Sequence, residues 1–297
     1  MTRATIARIA AALALLALSV SPWALADDGG GAAALRAKHG EIRDKLVHNG
    51  FGKPLYLESS EENGKLRGDV YAVVQHPFQT VVSGFADASG WCDVLILPYN
   101  TKHCHASGGA AATALTVRIG RKAEQAPEDA HPITFRYAVQ AKSTDYLRVA
   151  LDAADGPLGT RDYRIVLEAT PIDDKHTFIH LGYSYGFGSM ARFAMQAYLA
   201  TAGAKKVGFT VTGKDKDGNP QYVRGMLGAT ERNTMRYFLA IDAYLGSLAA
   251  PEAQRVDKRL NDWYSASLKY PKQLSELERG EYLAMKRRET ARLSEAL

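Results

Sequence analysis

The spacing of hydrophobic and polar positions changes several times along the chain, and each change marks an element. Residues 55–59 and 65–74 alternate and are rich in β-branched and aromatic side chains, which predicts a hairpin joined through Glu61, Glu62, Asn63 and Gly64. His76-Pro77 closes its second strand. Phe78, Val81, Val82 and Phe85 then fall at i, i+3, i+4 and i+7, the spacing of a helix that buries one face, with Pro77 at its start. Asp87, Ser89 and Gly90 interrupt that pattern, and Trp91, Val94, Leu95 and Leu97 begin another helix. Upstream, Leu35, Ile42, Leu46 and Val47 lie on one side of a helix ending at Asn49-Gly50.

Strand-like runs occupy residues 113–119, 134–141, 146–152, 162–170 and 177–185. The connections between the last four are too short for crossover helices, so those strands are predicted to be antiparallel. Residues 189–202 read as a helix, and 207–211 and 222–227 as strands around the turn Asp217-Gly218-Asn219-Pro220. Residues 230–248 form the most apolar helix after the N-terminal segment, with Met235, Phe238 and Leu239 among side chains on more than one face. Beyond Pro251, Lys, Arg and Glu dominate, while Leu260, Trp263, Tyr264, Tyr282 and Met285 keep the spacing of amphipathic helices.

The first 26 residues read as a secretory signal: Arg3 and Arg8, an apolar centre at 9–20, and the small-residue site Ala24-Leu25-Ala26. The apolar run falls short of the ~20 residues of a membrane span. The mature protein is therefore expected in the periplasm or outside the cell. Its parts are a linker and helix at 27–50, a main domain at 51–250 and a basic helical tail at 251–297. The formal charge is +5 and drops to +3 without Arg3 and Arg8. Acids are interleaved throughout, so nothing points to nucleic acid.

Cys92 and Cys104 are the two cysteines of the chain. In an oxidising compartment their preferred reading is a disulfide. A metal site with His103 or His105, or a cysteine nucleophile, fits the spacing and the compartment less well. No metal or cofactor is expected. Lys102 lies between the cysteines and reads as a solvated loop residue or one at a pocket mouth.

The run of strand, helix, turn and helix across residues 68–104, with a proline at the strand exit and Trp91 in the second helix, resembles the opening of the helix-grip fold. That fold is shared by START-related lipid-transfer proteins and polyketide cyclases of the SRPBCC superfamily, and the resemblance covers about residues 51–247. It implies an α+β fold, a curved antiparallel sheet wrapped on a long helix. That helix is here either 189–202 or 230–248. The C-terminal helical extension departs from the family pattern. The resemblance also implies a cavity under the long helix for an apolar or lipid-like molecule, without catalytic residues in many members.

Tyr137 and His180 of the sheet and Met235, Phe238 and Leu239 of the helix are the candidate lining, although the same side chains can fill a solid core. Arg232 and Arg236, at i, i+4, either hold a carboxylate or phosphate headgroup or belong to an ion-pair set with Glu231, Asp242 or the sheet. His176 and His180 share one face of their strand, and Tyr183 and Tyr185 the other. No carboxylate stands at a spacing that completes an acid–base or metal device with them. The expected function is non-catalytic binding or transfer of a lipid-like small molecule. The alternative is a cyclase- or hydrolase-type enzyme using His180 and cavity tyrosines, and the basic tail is a possible contact for an envelope component.

Overall fold

The computed structural model describes residues 31–108, 113–201 and 205–293; the segment 1–26, expected to be a secretory signal, lies outside them. Two short helices, α1 (Ala32–Glu41) and α2 (Arg43–Val47), precede the hairpin of β1 (Leu55–Glu62) and β2 (Lys65–Val74). Helices α3 (Phe78–Phe85) and α4 (Ala88–Leu95) follow as the spacing predicts. All four periodic residues of α3 are buried, and the Asp87 side chain caps α4 by accepting from Ser89 N at 2.7 Å.

The chain then crosses to the far edge and returns strand by strand through β3 (Thr101–Ser107), β4 (Ala114–Ile119), β5 (His131–Lys142), β6 (Leu147–Asp155), β7 (Thr160–Pro171) and β8 (Thr177–Phe187). β8 pairs with β2, giving one antiparallel sheet in the order β1-β2-β8-β7-β6-β5-β4-β3. Register shifts in β3, β5 and β7 bend those strands. Every residue of β8 is buried because both faces are covered. Ile179, Leu181, Tyr183 and Tyr185 join the main core, whereas Phe178 packs with Leu35, Ile42 and Leu46 of the N-terminal helices on the other face.

After α5 (Ser189–Ala200) comes a small hairpin, β9 (Val211–Lys214) and β10 (Pro220–Tyr222), and then α6 (Gly225–Ser247), the long helix that packs on β1, β2 and β8. Its 23 residues extend for about 35 Å. At Gly68 it crosses β2 so closely that a Cβ would stand 2.3 Å from Thr234 Oγ1. The second side of α6 is taken by α7 (Glu252–Leu268), followed by α8 (Pro271–Leu274) and α9 (Arg279–Ala291), which explains its apolar character all round.

This is the α+β helix-grip arrangement that the resemblance implies, with α6 and not α5 as the gripped helix. The disulfide joins Cys92 of α4 to Cys104 of β3, with Cα atoms 5.3 Å apart. A loop of that length stabilises by about 3 kcal/mol in the chain-entropy view.

Three expectations are corrected. The strands expected at 207–211 and 222–227 sit closer to the turn, because Glu231 accepts the N–H groups of Phe209 and Thr210 that a ladder would need and residues 225–227 already belong to α6. Val47 is 69% exposed, since the helix breaks at Ile42. Lys102 is not in a solvated loop: it is fully buried on β3, where its Nζ donates to Glu289 Oε1 of α9 at 3.0 Å and to two backbone carbonyls. The tail docks through its apolar side, as the amphipathic spacing predicts, with Leu260, Trp263, Leu274 and Tyr282 fully buried. Among the described residues no helix is long and apolar enough to cross a membrane.

Candidate ligand cavity

A cavity of about 620 Å³ opens between the inner face of the sheet and the first half of α6, within the ~300–1000 Å³ of small-molecule sites. Its position follows from the chain path. β3, β4 and β5 lie at the end of the sheet away from the β1–β2 hairpin on which α6 packs, and a space is left beneath them.

Val117, Ile119, Ile133 and Phe135 form the apolar wall, every second residue of β4 and β5 pointing inward. Tyr163, Tyr183 and Tyr237 add an aromatic side, with Tyr183 and Tyr237 centroids 5.4 Å apart. Burial raises the pKa of all three, so they are neutral phenols at ordinary pH. Leu158, in the turn between β6 and β7, lines the cavity while 76% exposed, with a left-handed φ of 57°.

The polar part lies where Lys122, Asn233 and Arg236 meet the wall. Glu276, in the segment between α8 and α9, accepts from Arg236 Nη2 and from Lys122 Nζ, both at 2.7 Å, and Lys206 Nζ stands 3.7 Å from its other oxygen. Burial alone would raise the Glu276 pKa, but Lys122, Arg236 and Lys206 outweigh it and hold the carboxyl below its usual range. Lys122 is lowered by burial first and by Arg236 second, against the pull of Glu276. Three cations thus share one carboxylate.

Of the residues singled out from sequence, Tyr183 and Arg236 line the cavity. Arg232 is buried one turn earlier, where its Nη1 donates to Val207 O at 3.3 Å, so the two guanidiniums do not form one clamp. Glu231 serves the 207–210 segment and β1, accepting from Ser59 Oγ at 2.8 Å as well as from Phe209 and Thr210. Tyr137 donates its hydroxyl to Phe85 O at 2.8 Å and ties β5 to α3. Met235 is core. Phe238 and Leu239 border a different cavity, of about 430 Å³, beside Lys53, His76 and Asp242.

His180 is on the other face of the sheet. Its Nδ1 and Nε2 each lie 2.7 Å from a carboxylate, Glu168 of β7 and Asp69 of β2. Tyr71 stacks on the ring at 4.4 Å, Arg67 binds Asp69, and Tyr146 and Arg148 bind Glu168. Carboxylates therefore do stand beside it, supplied by neighbouring strands. His176 precedes β8 and meets Asp173, away from this group.

Lys122, Asn233, Tyr237 and Tyr163 were missed as lining residues. Strand parity carried part of the signal: Tyr183 is an odd number of residues from His180 and so had to face α6 if His180 did not.

No family model and no curated protein sequence matches the chain. Among solved structures, it is similar to a conserved protein from Geobacillus kaustophilus, at 14% identity over 61% of this chain and 95% of that one, with a TM-score of 0.35. It is also similar to a Thalictrum flavum norcoclaurine synthase point mutant bound to a transition-state analogue, at 12% identity over 50% and 89%, TM-score 0.34. The third is human StAR-related lipid transfer protein 5, at 10% over 53% and 83%, TM-score 0.29. The likeness is one of fold alone.

Proposed function

We propose that the protein, exported by residues 1–26 to the periplasm or beyond, binds or transfers an apolar or lipid-like small molecule without transforming it. The cavity between the sheet and α6, with its aliphatic and aromatic wall, is the observation that carries this reading. The cyclase- or hydrolase-type alternative loses its base, since His180 is turned to the opposite face and held between two carboxylates. Docking of the tail to an envelope component has less support. The tail's apolar side is spent inside the protein, and Lys258, Arg287 and Arg288 are paired with Asp262, Asp257 and Glu124.

Native mass spectrometry after gentle purification tests the reading, together with uptake of a fluorescent fatty acyl probe. A co-purified mass that leaves on denaturation, or saturable uptake of the probe, is expected. Protein that carries nothing and takes up no probe would sink the proposal.

A further inference from the structure

We infer that the ligand is an amphiphile whose polar end is an oxyanion, seated between Lys122 and Arg236, with Glu276 as the protein's own occupant of that position. This rests on the cavity reading above and names the chemical class it admits. The inference comes from charge and geometry together. Arg236 has a 6% exposed side chain and Lys122 a 36% exposed one, and both reach Glu276, which Lys206 also approaches. One carboxylate cannot neutralise three cations, and of these the Arg236 guanidinium is the buried one, where an anion gains most. Arg236 also keeps a buried Nε that makes no hydrogen bond among the described residues, a donor whose burial is unfavourable until an acceptor arrives.

The other charged groups around this point do not restore the balance. Glu231 is taken up by Ser59, Phe209 and Thr210, Arg232 is engaged one turn away with the Val207 carbonyl, and Arg121 is exposed at the rim. The wall beyond is apolar through Val117, Ile133 and Phe135, so a bare anion would leave most of the cavity unfilled. An oxyanion on an alkyl chain matches both parts. A long-chain carboxylate and an alkyl phosphate share this chemistry, and a neutral alcohol of equal length lacks it.

Titration calorimetry of the purified, delipidated protein with dodecanoate, dodecyl phosphate, dodecanol and inorganic phosphate separates the cases. Both anionic chains are expected to bind at least about tenfold more tightly than dodecanol and than inorganic phosphate. Arg236→Gln and Lys122→Gln are each expected to cut the preference for dodecanoate over dodecanol by about tenfold. Glu276→Gln, which removes the internal competitor, is expected to strengthen dodecanoate. Arg236→Lys keeps the charge and should retain the preference for the acid, which serves if the glutamine variant does not fold.

Equal affinity for dodecanol and dodecanoate overturns the assignment of an anionic end and leaves the cavity reading standing. Glutamine variants that fold but lose nothing overturn the assigned residues. Inorganic phosphate binding as well as dodecyl phosphate overturns the amphiphile. Failure of every chain to bind removes the cavity reading itself.

Discussion

His180 of β8 and Glu168 of β7 stand directly opposite each other in register, and Nδ1 meets the carboxylate Oε2 at 2.7 Å on the sheet face turned away from α6. Asp69 takes the second ring nitrogen at the same distance. Ionised carboxylates only accept, so both nitrogens donate and the ring is a cation. A charged imidazole is thus built into the layer under α1, where His39 packs on Phe178 and Lys38 lies over Tyr71.

This cation gives the fold a pH signature. Burial lowers the His180 pKa, but the bonds and charges of Asp69 and Glu168 outweigh it and raise the pKa above 6.5. Its contribution is therefore complete below 6.5 and lost as pH rises through the higher folded value. Asp69 and Glu168 are lowered despite burial, so theirs is lost at the acid end, as pH falls through their depressed values. Above pH 6.5 the wild-type thermal midpoint is expected to fall more steeply with rising pH than that of His180→Gln. The variant itself should lose about 3–5 kcal/mol near pH 6, because two buried carboxylates are left without the cation. Parallel curves in the two proteins would contradict a charged ring.

The latch between β3 and α9 yields a second expectation. Lys286 Nζ donates to Glu289 Oε2 at 2.6 Å and to Thr101 O at 2.7 Å, while Lys102 shares the same glutamate. Burial lowers the Lys286 pKa to about 8 even though Glu289 pulls it up. Glu289→Gln is expected to cost about 3–5 kcal/mol at neutral pH. The loss should shrink as pH rises and the lysine sheds its proton. Hydrogen exchange is the measurement: α9 amides should exchange faster in the variant while those of α6 hold, and unchanged α9 protection would show that the latch is dispensable.

The crossing at Gly68 can be probed by adding one methyl group. Gly68→Ala places a Cβ against Thr234 Oγ1, which itself donates to Thr230 O at 2.9 Å. Overpacking of this kind costs about 1–3 kcal/mol. Thr234→Ala in the same chain is expected to recover part of it, as seen in denaturant midpoints. An additive double variant would mean that α6 does not approach the strand this closely.

The sequence carried whatever depends on near neighbours. The hairpin, the two short helices after Pro77, the return strands, the disulfide and the long helix all follow from period or from residues close together, and each is found. What it did not carry is the pairing of distant polar groups. Lys102 reads as a surface residue because its carboxylate, Glu289, is 187 positions away. His180 reads as unaccompanied because Asp69 comes from 111 positions upstream, through the pairing of β2 with β8. The acid-binding reading of Arg236 was available from its residue type, but its cavity partner Lys122 lies in the loop after β4, where nothing in the local pattern marks it. The cavity end of the sheet depends on how far α6 reaches, which no window of residues records.

The docking of α9 also bears on one of the two edge strands. β3 is the last in the sheet, and a bare rim of that kind invites a stranger's backbone to join it. Here Lys286 occupies the carbonyl of Thr101, and the His103 ring reaches Arg292 O at 2.9 Å. The last helix therefore stoppers the beginning of this margin, at the Thr101 carbonyl.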